Sequence, residues 1–146
     1  MKKLRALVID DSRVMRTMVM EALRRSQLAE FEFTEAEDGA VALAKFDPKT
    51  IDIVFADWNM PNMTGIEFVR TVRSTYKSVR IPIVMVTSEK TMTRMDEALN
   101  SAGASAYITK PFTVDELKNK LGKLIESIGS PAIPAVKAAG FFSKLS

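Results

Sequence analysis

Four short apolar runs in this chain each end in residues capable of polar chemistry. Leu7-Val8-Ile9 leads into Asp10-Asp11, Ile53-Val54-Phe55-Ala56 into Asp57, Ile83-Val84-Met85-Val86 into Thr87-Ser88, and Tyr107-Ile108-Thr109 into Lys110-Pro111. Such runs read as strands buried on both faces, and open parallel sheets bind ligands at the carboxyl ends of their strands. A buried strand seldom needs a carboxylate, so Asp57 is the candidate reactive group. An aspartate that attacks phosphorus gives an aspartyl phosphate. Three carboxylates gathered at one rim repel, and they either share protons or recruit a cation. Magnesium suits an all-oxygen set, because it keeps several waters and takes one or two carboxylates plus phosphate oxygens. Lys110 would then neutralise charge on a phosphoryl group, and Thr87 would donate its hydroxyl to it. Ordinary structural roles compete with these. Asp11 and Ser12 are a natural cap for a following helix, as are Thr87 and Ser88, and Lys110 has the option of a solvated loop. The coincidence of four strand ends in one architecture favours a site over four separate accidents.

Composition narrows the chemistry. The 146 residues, 47% hydrophobic, suffice for one well-packed domain. There is no cysteine and no histidine, which excludes disulfides, thiolate or imidazole metal sites, and Ser-His or Cys-His nucleophiles. The 21 Lys+Arg against 18 Asp+Glu are spread along the chain without a basic stripe, so nucleic acid is not an expected partner. Met1-Lys2-Lys3 and the short apolar run after it resemble neither a secretory signal nor a membrane span, so a cytoplasmic protein is expected. No loop of the form G-x-x-x-x-G-K-[ST] is present, and the phosphoryl donor must therefore come from outside the chain.

The elements that position these residues follow from periodicity and punctuation. A strand over 4–9 precedes a helix over 13–27, capped by Ser12 and carrying Val14, Met18 and Ala22 at helical spacing. Phe31 to Ala36 alternates apolar and polar residues as a strand near a sheet edge does, and Glu37-Asp38-Gly39 turns into a second helix with Val41, Ala44 and Phe46 on its buried side. A third strand over 51–56 is followed by a loop that Pro61 and Gly65 punctuate, then by a helix over 66–75. A strand over 81–86, a helix from Thr91 to Ala102 stopped by Gly103, and a strand over 104–109 come next. The last helix, 115–128, carries Leu117, Leu121, Leu124, Ile125 and Ile128 along one face, and Gly129 closes the domain. Five strand–helix alternations imply a parallel sheet with right-handed crossovers and helices on both faces, a three-layer α/β fold. Its rim would gather Asp10, Asp11, Asp57, Thr87 and Lys110.

With Asp10-Asp11, Asp57, Thr87 and Lys110-Pro111 in place, residues 4–129 resemble the receiver domains of two-component response regulators. The segments Ala36-Glu37-Asp38-Gly39, Asp57 to Met63 and Lys110-Pro111-Phe112-Thr113 are similar to the stand-alone chemotaxis type in particular. The resemblance implies a flavodoxin-like (βα)5 fold with strand order 2-1-3-4-5, an order taken from the family rather than from periodicity. It implies that Asp57 takes a phosphoryl group from a histidine kinase, with Mg2+ on Asp10, Asp11, Asp57 and the Asn59 carbonyl, and with Lys110 paired to the phosphoryl group. Thr87 would move toward a phosphoryl oxygen and Tyr107 would rotate inward behind it. That pair would reshape the face of the fourth helix, fifth strand and fifth helix, where a partner binds. Asn59 and Glu89 resemble positions that modulate water attack and self-dephosphorylation, Lys110-Pro111 resembles a cis peptide, and Trp58 would report ligand binding by fluorescence. The implied role is a phosphoacceptor switch rather than a turnover enzyme, with a chemotaxis kinase, a flagellar motor switch protein or other phospho-dependent target, and a phosphatase as partners.

Two features depart from the chemotaxis pattern. The fourth helix begins Glu89-Lys90-Thr91-Met92, less basic than in chemotaxis members, which leaves a phosphorelay intermediate or a phosphate sink as alternatives. Residues 130–146 extend past the domain with Pro131 and Pro134 as a spacer and Val136, Phe141, Phe142 and Leu145 as apolar contacts, and they are expected to dock on a surface. A haloacid dehalogenase-type phosphatase also combines Asp, a hydroxyl, Lys and magnesium, but it places its nucleophile in Asp-x-Asp after the first strand, where this chain has adjacent aspartates. A flavin module of the same strand order lacks support, because no Gly-rich phosphate loop follows strand one.

Overall fold

The computed structural model describes residues 1–129. The expected docking segment, residues 130–146, lies outside the described residues. Five parallel strands, β1 (Lys3–Ile9), β2 (Glu30–Ala36), β3 (Ile53–Ala56), β4 (Ile83–Thr87) and β5 (Ala106–Thr109), form one sheet in the order β2-β1-β3-β4-β5. Between them run α1 (Arg13–Ser26), α2 (Gly39–Lys45), α3 (Gly65–Thr75) and α4 (Met92–Asp96), with α5 (Val114–Ser127) after β5. The three-layer fold and strand order expected from the sequence are those observed.

Alternation along each central strand explains why there are two cores. Leu7, Ile9, Val54, Ala56, Ile83 and Met85 point to one face, where Phe46, Ile66, Phe68, Val69 and Val72 from the α2–α3 side cover them. Ala6, Val8, Ile53, Phe55, Val84 and Val86 point to the other, where Val19, Leu23, Leu117, Leu121 and Ile125 of α1 and α5 pack. β3 is buried at every position, as its unbroken apolar sequence requires. β2 sits at the sheet edge, and its charged, alternating sequence leaves most of it at least partly exposed.

Three local expectations are corrected. Val14 and Met18 of α1 are 68% and 55% exposed, and the face against the sheet is Val19, Met20, Leu23 and Ser26. α1 carries apolar residues on more than one side, so spacing alone does not select the stripe that the β1–α1–β2 crossover turns inward. In α2, Ala44 is exposed and Ala42 is buried; the helix ends at Lys45, and Phe46 continues in extended conformation while still packing edge-on against Phe68 and Tyr76. The segment expected as one helix over 91–102 has a single α-helical turn capped by Thr91, then a π-helical stretch from Glu97 to Ala102. Gly103, at φ 98°, closes that stretch with its N–H donating to Ala98 O, five residues back.

Lys2 fastens the start of the chain to the end of α5. Its ammonium donates to the carbonyls of Ile125, Glu126 and Ile128 at the helix end, where main-chain acceptors run short of helical donors.

Candidate functional site

The strand ends meet because the strands are in register. Ile9 pairs with Ala56, Ala56 with Met85, and Thr87 with Thr109, so the residues that follow them emerge side by side along one rim. The Asp57 N–H donates to Ile9 O at 2.9 Å and the Lys110 N–H to Thr87 O at 2.9 Å, which extends the ladder by one step and fixes both side chains at the edge of the sheet.

Asp10 is 4% exposed and doubly held: its Oδ1 accepts the Ser12 N–H at 2.9 Å and its Oδ2 accepts from Lys110 Nζ at 3.2 Å. Ser12 also caps α1 by accepting the Met15 N–H, so the same turn orients the acid and starts the helix. Arg16, one turn into α1, donates to the Asp10 carbonyl at 2.7 Å and pairs with Glu35 at 2.8 Å, bracing the loop from behind. Asp11 is exposed. Asp57 Oδ1 accepts the Trp58 N–H at 2.8 Å and lies 3.8 Å from Lys110 Nζ. Thr87 is fully buried, and its Oγ1 accepts the Glu89 N–H at 3.3 Å. Lys110 precedes Pro111 through a cis peptide.

One ligand oxygen from each of Asp10, Asp11 and Asp57 lies within 4.8 Å of the others. Octahedral Mg2+ with bonds of about 2.0–2.1 Å separates its ligand oxygens by about 2.9–4.2 Å, so the set is of the right hardness for the ion and close to its size. Three carboxylates against one ammonium leave two negative charges at the rim, which a divalent cation balances. Burial pushes the Asp57 carboxyl above its ordinary range; the Lys110 charge pulls it back and the Asp10 charge adds to the rise.

Tyr107 is turned inward and only 4% exposed, with its hydroxyl donating to Glu89 O at 2.8 Å. Burial and the Glu89 charge push its pKa up to about 12. Asn59 Nδ2 donates to Glu89 Oε2 at 2.8 Å, so the two residues expected to flank the reacting group do touch. Trp58, 5% exposed, is buried more fully than a loop anchor requires, under the Arg94 guanidinium.

The sequence reading missed three participants. Gly65 starts α3 directly behind the site, where a Cβ would stand 1.9 Å from Asp57 O. Its N–H donates to Trp58 O at 3.0 Å, which closes the β3–α3 loop. Asp38 caps α2 and accepts from Asn62 Nδ2 at 2.8 Å, steadying that loop at a residue of positive φ; the Val41 N–H and the Asn62 amide hold its carboxyl below the ordinary range. Arg16 is the third. An Asp before a Gly and an Asn after a Pro signalled the Asp38–Asn62 pair as turn formers; nothing in the sequence signalled Arg16.

Residues 6–122 match the family model described as the response regulator receiver domain. The chain is 37% identical over 125 residues to a chemotaxis protein CheY of Pseudomonas aeruginosa, covering 86% of this chain and 98% of that protein. It is 37% identical over 127 residues to CheY-3 of Vibrio cholerae, covering 87% and 95%. Among solved structures, the chemotaxis response regulator CheY4 of Vibrio cholerae superposes with a TM-score of 0.70 at 36% identity, over 84% of this chain and 99% of that one. A CheY-like receiver domain protein of Methanospirillum hungatei, 24% identical over 86% of this chain and 96% of that one, shares the fold with a TM-score of 0.72. A parallel sheet in the order 2-1-3-4-5, an acidic cluster at its carboxyl rim and these matches together show that the chain belongs to the response regulator receiver domain family, where it is similar to the chemotaxis proteins of CheY type.

Proposed function

We propose that this receiver is a phosphorylatable switch that accepts a phosphoryl group on Asp57 from a histidine kinase and signals through the surface of α4, β5 and α5. The observation that carries this reading is the convergence of Asp57, Asp10, Asp11, Thr87 and Lys110 at one rim, with Asp57 Oδ1 engaged by the Trp58 N–H and its other oxygen assigned to phosphorus. That oxygen forms the new bond to phosphorus while the phosphorus–nitrogen bond of a kinase phosphohistidine breaks and its electron pair returns to the imidazole. Lys110 moves from its acidic partners to the phosphoryl oxygens, and the Thr87 hydroxyl donates to one of them. Asp10, Asp11, Asp57 and the Asn59 main-chain carbonyl would hold Mg2+, which when bound neutralises charge on the transferring group. Tyr107, already inward on Glu89, is placed to carry the change to β5 and α4.

The protein is a signalling switch rather than a turnover enzyme, its only chemistry being uptake and slow hydrolysis of its own phosphoryl group. The names of its relatives are those of chemotaxis proteins, which supports a chemotaxis role; in that reading the donor is a chemotaxis kinase, the target a flagellar motor switch protein and the antagonist a phosphatase, in the cytoplasm. No helix among the described residues is long and apolar enough to cross a membrane. The weakly basic start of α4, with Met92 81% exposed, favours the second reading, a phosphorelay or phosphate-sink receiver that engages no motor protein. Mass spectrometry after treatment with a small acyl phosphate and Mg2+ should find one added phosphoryl group, lost in Asp57→Asn; no addition to the unaltered chain sinks the proposal. Proteins retained by the phosphorylated chain but not by Asp57→Asn separate the motor reading from the relay reading.

A further inference from the structure

Every polar group of Glu89 is tied to a neighbour of Asp57 or to the helix beside it. Its N–H donates to Thr87 Oγ1 at 3.3 Å, its carbonyl accepts from the Tyr107 hydroxyl at 2.8 Å, and its Oε2 accepts from the Asn59 amide at 2.8 Å. Its Oε1 lies 3.9 Å from Arg94 Nε, and Arg94 is the one member of this set that comes from α4. The guanidinium carbon of Arg94 stands 4.9 Å from the centre of the Trp58 ring, with Nη1 3.6 Å from Glu97 Oε1. A guanidinium is planar and weakly hydrated, so it rests on an indole face and pairs with a carboxylate through its edge at the same time. The Arg94 side chain therefore spans from the residue next to Asp57 to the acid that Asn59 holds.

We propose that Arg94 is a positioning residue that fixes Glu89 against Asn59, beside Asp57, and thereby sets the rate at which water removes a phosphoryl group from the Asp57 side chain. This rests on the phosphoacceptor reading above and adds to it a control point on α4. In the step concerned, a water oxygen bonds to phosphorus and the bond from phosphorus to the Asp57 oxygen breaks. The electron pair returns to the carboxylate, and the water's protons leave with inorganic phosphate and solvent. Asn59 holds one Glu89 oxygen and Arg94 faces the other, so losing Arg94 frees the acid on the α4 side alone. The Arg94 side chain is 47% exposed, which keeps the effect at the scale of a surface contact. Arg94→Ala is expected to speed loss of the phosphoryl group about two- to fivefold.

The test phosphorylates the full chain with a small acyl phosphate and Mg2+, removes the donor, and follows decay in wild type, Arg94→Ala, Arg94→Lys, Glu89→Ala and the double alanine variant. Trp58 fluorescence of the same proteins is recorded before phosphorylation. Decay should quicken in Arg94→Ala and partly recover in Arg94→Lys, and in the Glu89→Ala background the Arg94 change should add nothing. Trp58 emission should shift in Arg94→Ala and return only in part in Arg94→Lys. Equal decay in wild type and Arg94→Ala overturns the inference, as does an acceleration that persists in full without Glu89. Failure of the unaltered chain to take up phosphate overturns the phosphoacceptor reading itself and this inference with it, whereas uptake with unchanged decay overturns the inference alone.

Discussion

Asp57 is costly to the resting protein. Burial raises its carboxyl pKa, so its stabilising contribution is present below the ordinary carboxylate pKa and is lost as pH rises through the folded value. In magnesium-free buffer at neutral pH, Asp57→Asn should therefore melt a few degrees higher than wild type, and the difference should shrink as the pH falls below the carboxylate range. Tyr107 carries the opposite kind of burial, a neutral hydroxyl with one acceptor. Its tyrosinate absorbance should appear only near pH 12, and the step should vanish in Tyr107→Phe. Gly65 is the least tolerant position beside the site. A methyl group 1.9 Å from the Asp57 carbonyl must displace that backbone, so Gly65→Ala should lose about 1–3 kcal/mol in denaturant unfolding and most of its capacity for phosphoryl uptake. Asp10, Asp11, Asp57, Thr87 and Lys110 were legible in the sequence because a polar residue ending an apolar run needs only one-dimensional pattern to be noticed. Gly65 and Arg94 were not, because their importance lies in approaches across the fold, of a helix start to a carbonyl and of a guanidinium to an indole.

Among the elements, helix starts were read well and helix faces less so. Ser12, Asp38, Thr64, Thr91 and Thr113 each accept a main-chain N–H at the start of a helix, and Thr64 and Thr113 complete reciprocal pairs with Glu67 and Glu116. Thr113→Ala should cost about 1 kcal/mol in denaturant unfolding, since it orphans the Glu116 N–H at the start of α5. α1 shows what spacing leaves open: Val14, Met18 and Ala22 satisfy the helical repeat as well as Val19, Leu23 and Ser26 do, and only the direction of the crossover decides between them. α4 shows a second limit. Its sequence carries a cap, a glycine stop and apolar spacing for one helix, yet the backbone widens to a π-helical turn at Glu97. The first turn of α4 contributes no fully buried residue, so the part that bears Met92 and Arg94 is fixed by its cap, its ion pairs and the partial packing of Met95 on the core.

In the molecule as a whole, both cores are built from apolar side chains, although Trp58 and Tyr107 tie one of them to the acidic rim, and the cation should act as a stabilising ligand rather than as a structural necessity. Thermal unfolding should show a rise with Mg2+, reaching about 2.7 kcal/mol at a hundredfold excess over its dissociation constant, and a much smaller rise in Asp57→Asn. Strand order and layer count follow from the alternation of elements together with family resemblance, whereas the sharing of side chains between the two faces follows from register, which pattern alone does not fix. The attachment of Lys2 to the end of α5 has a practical corollary. The chain leaves the domain from an anchored exit on the floor of the sheet, a full strand's length from the reactive rim. A small dye on a single cysteine introduced at Glu126, exposed beside that anchor, would sit clear of the acidic rim, which makes it the place to label the switch without jamming it.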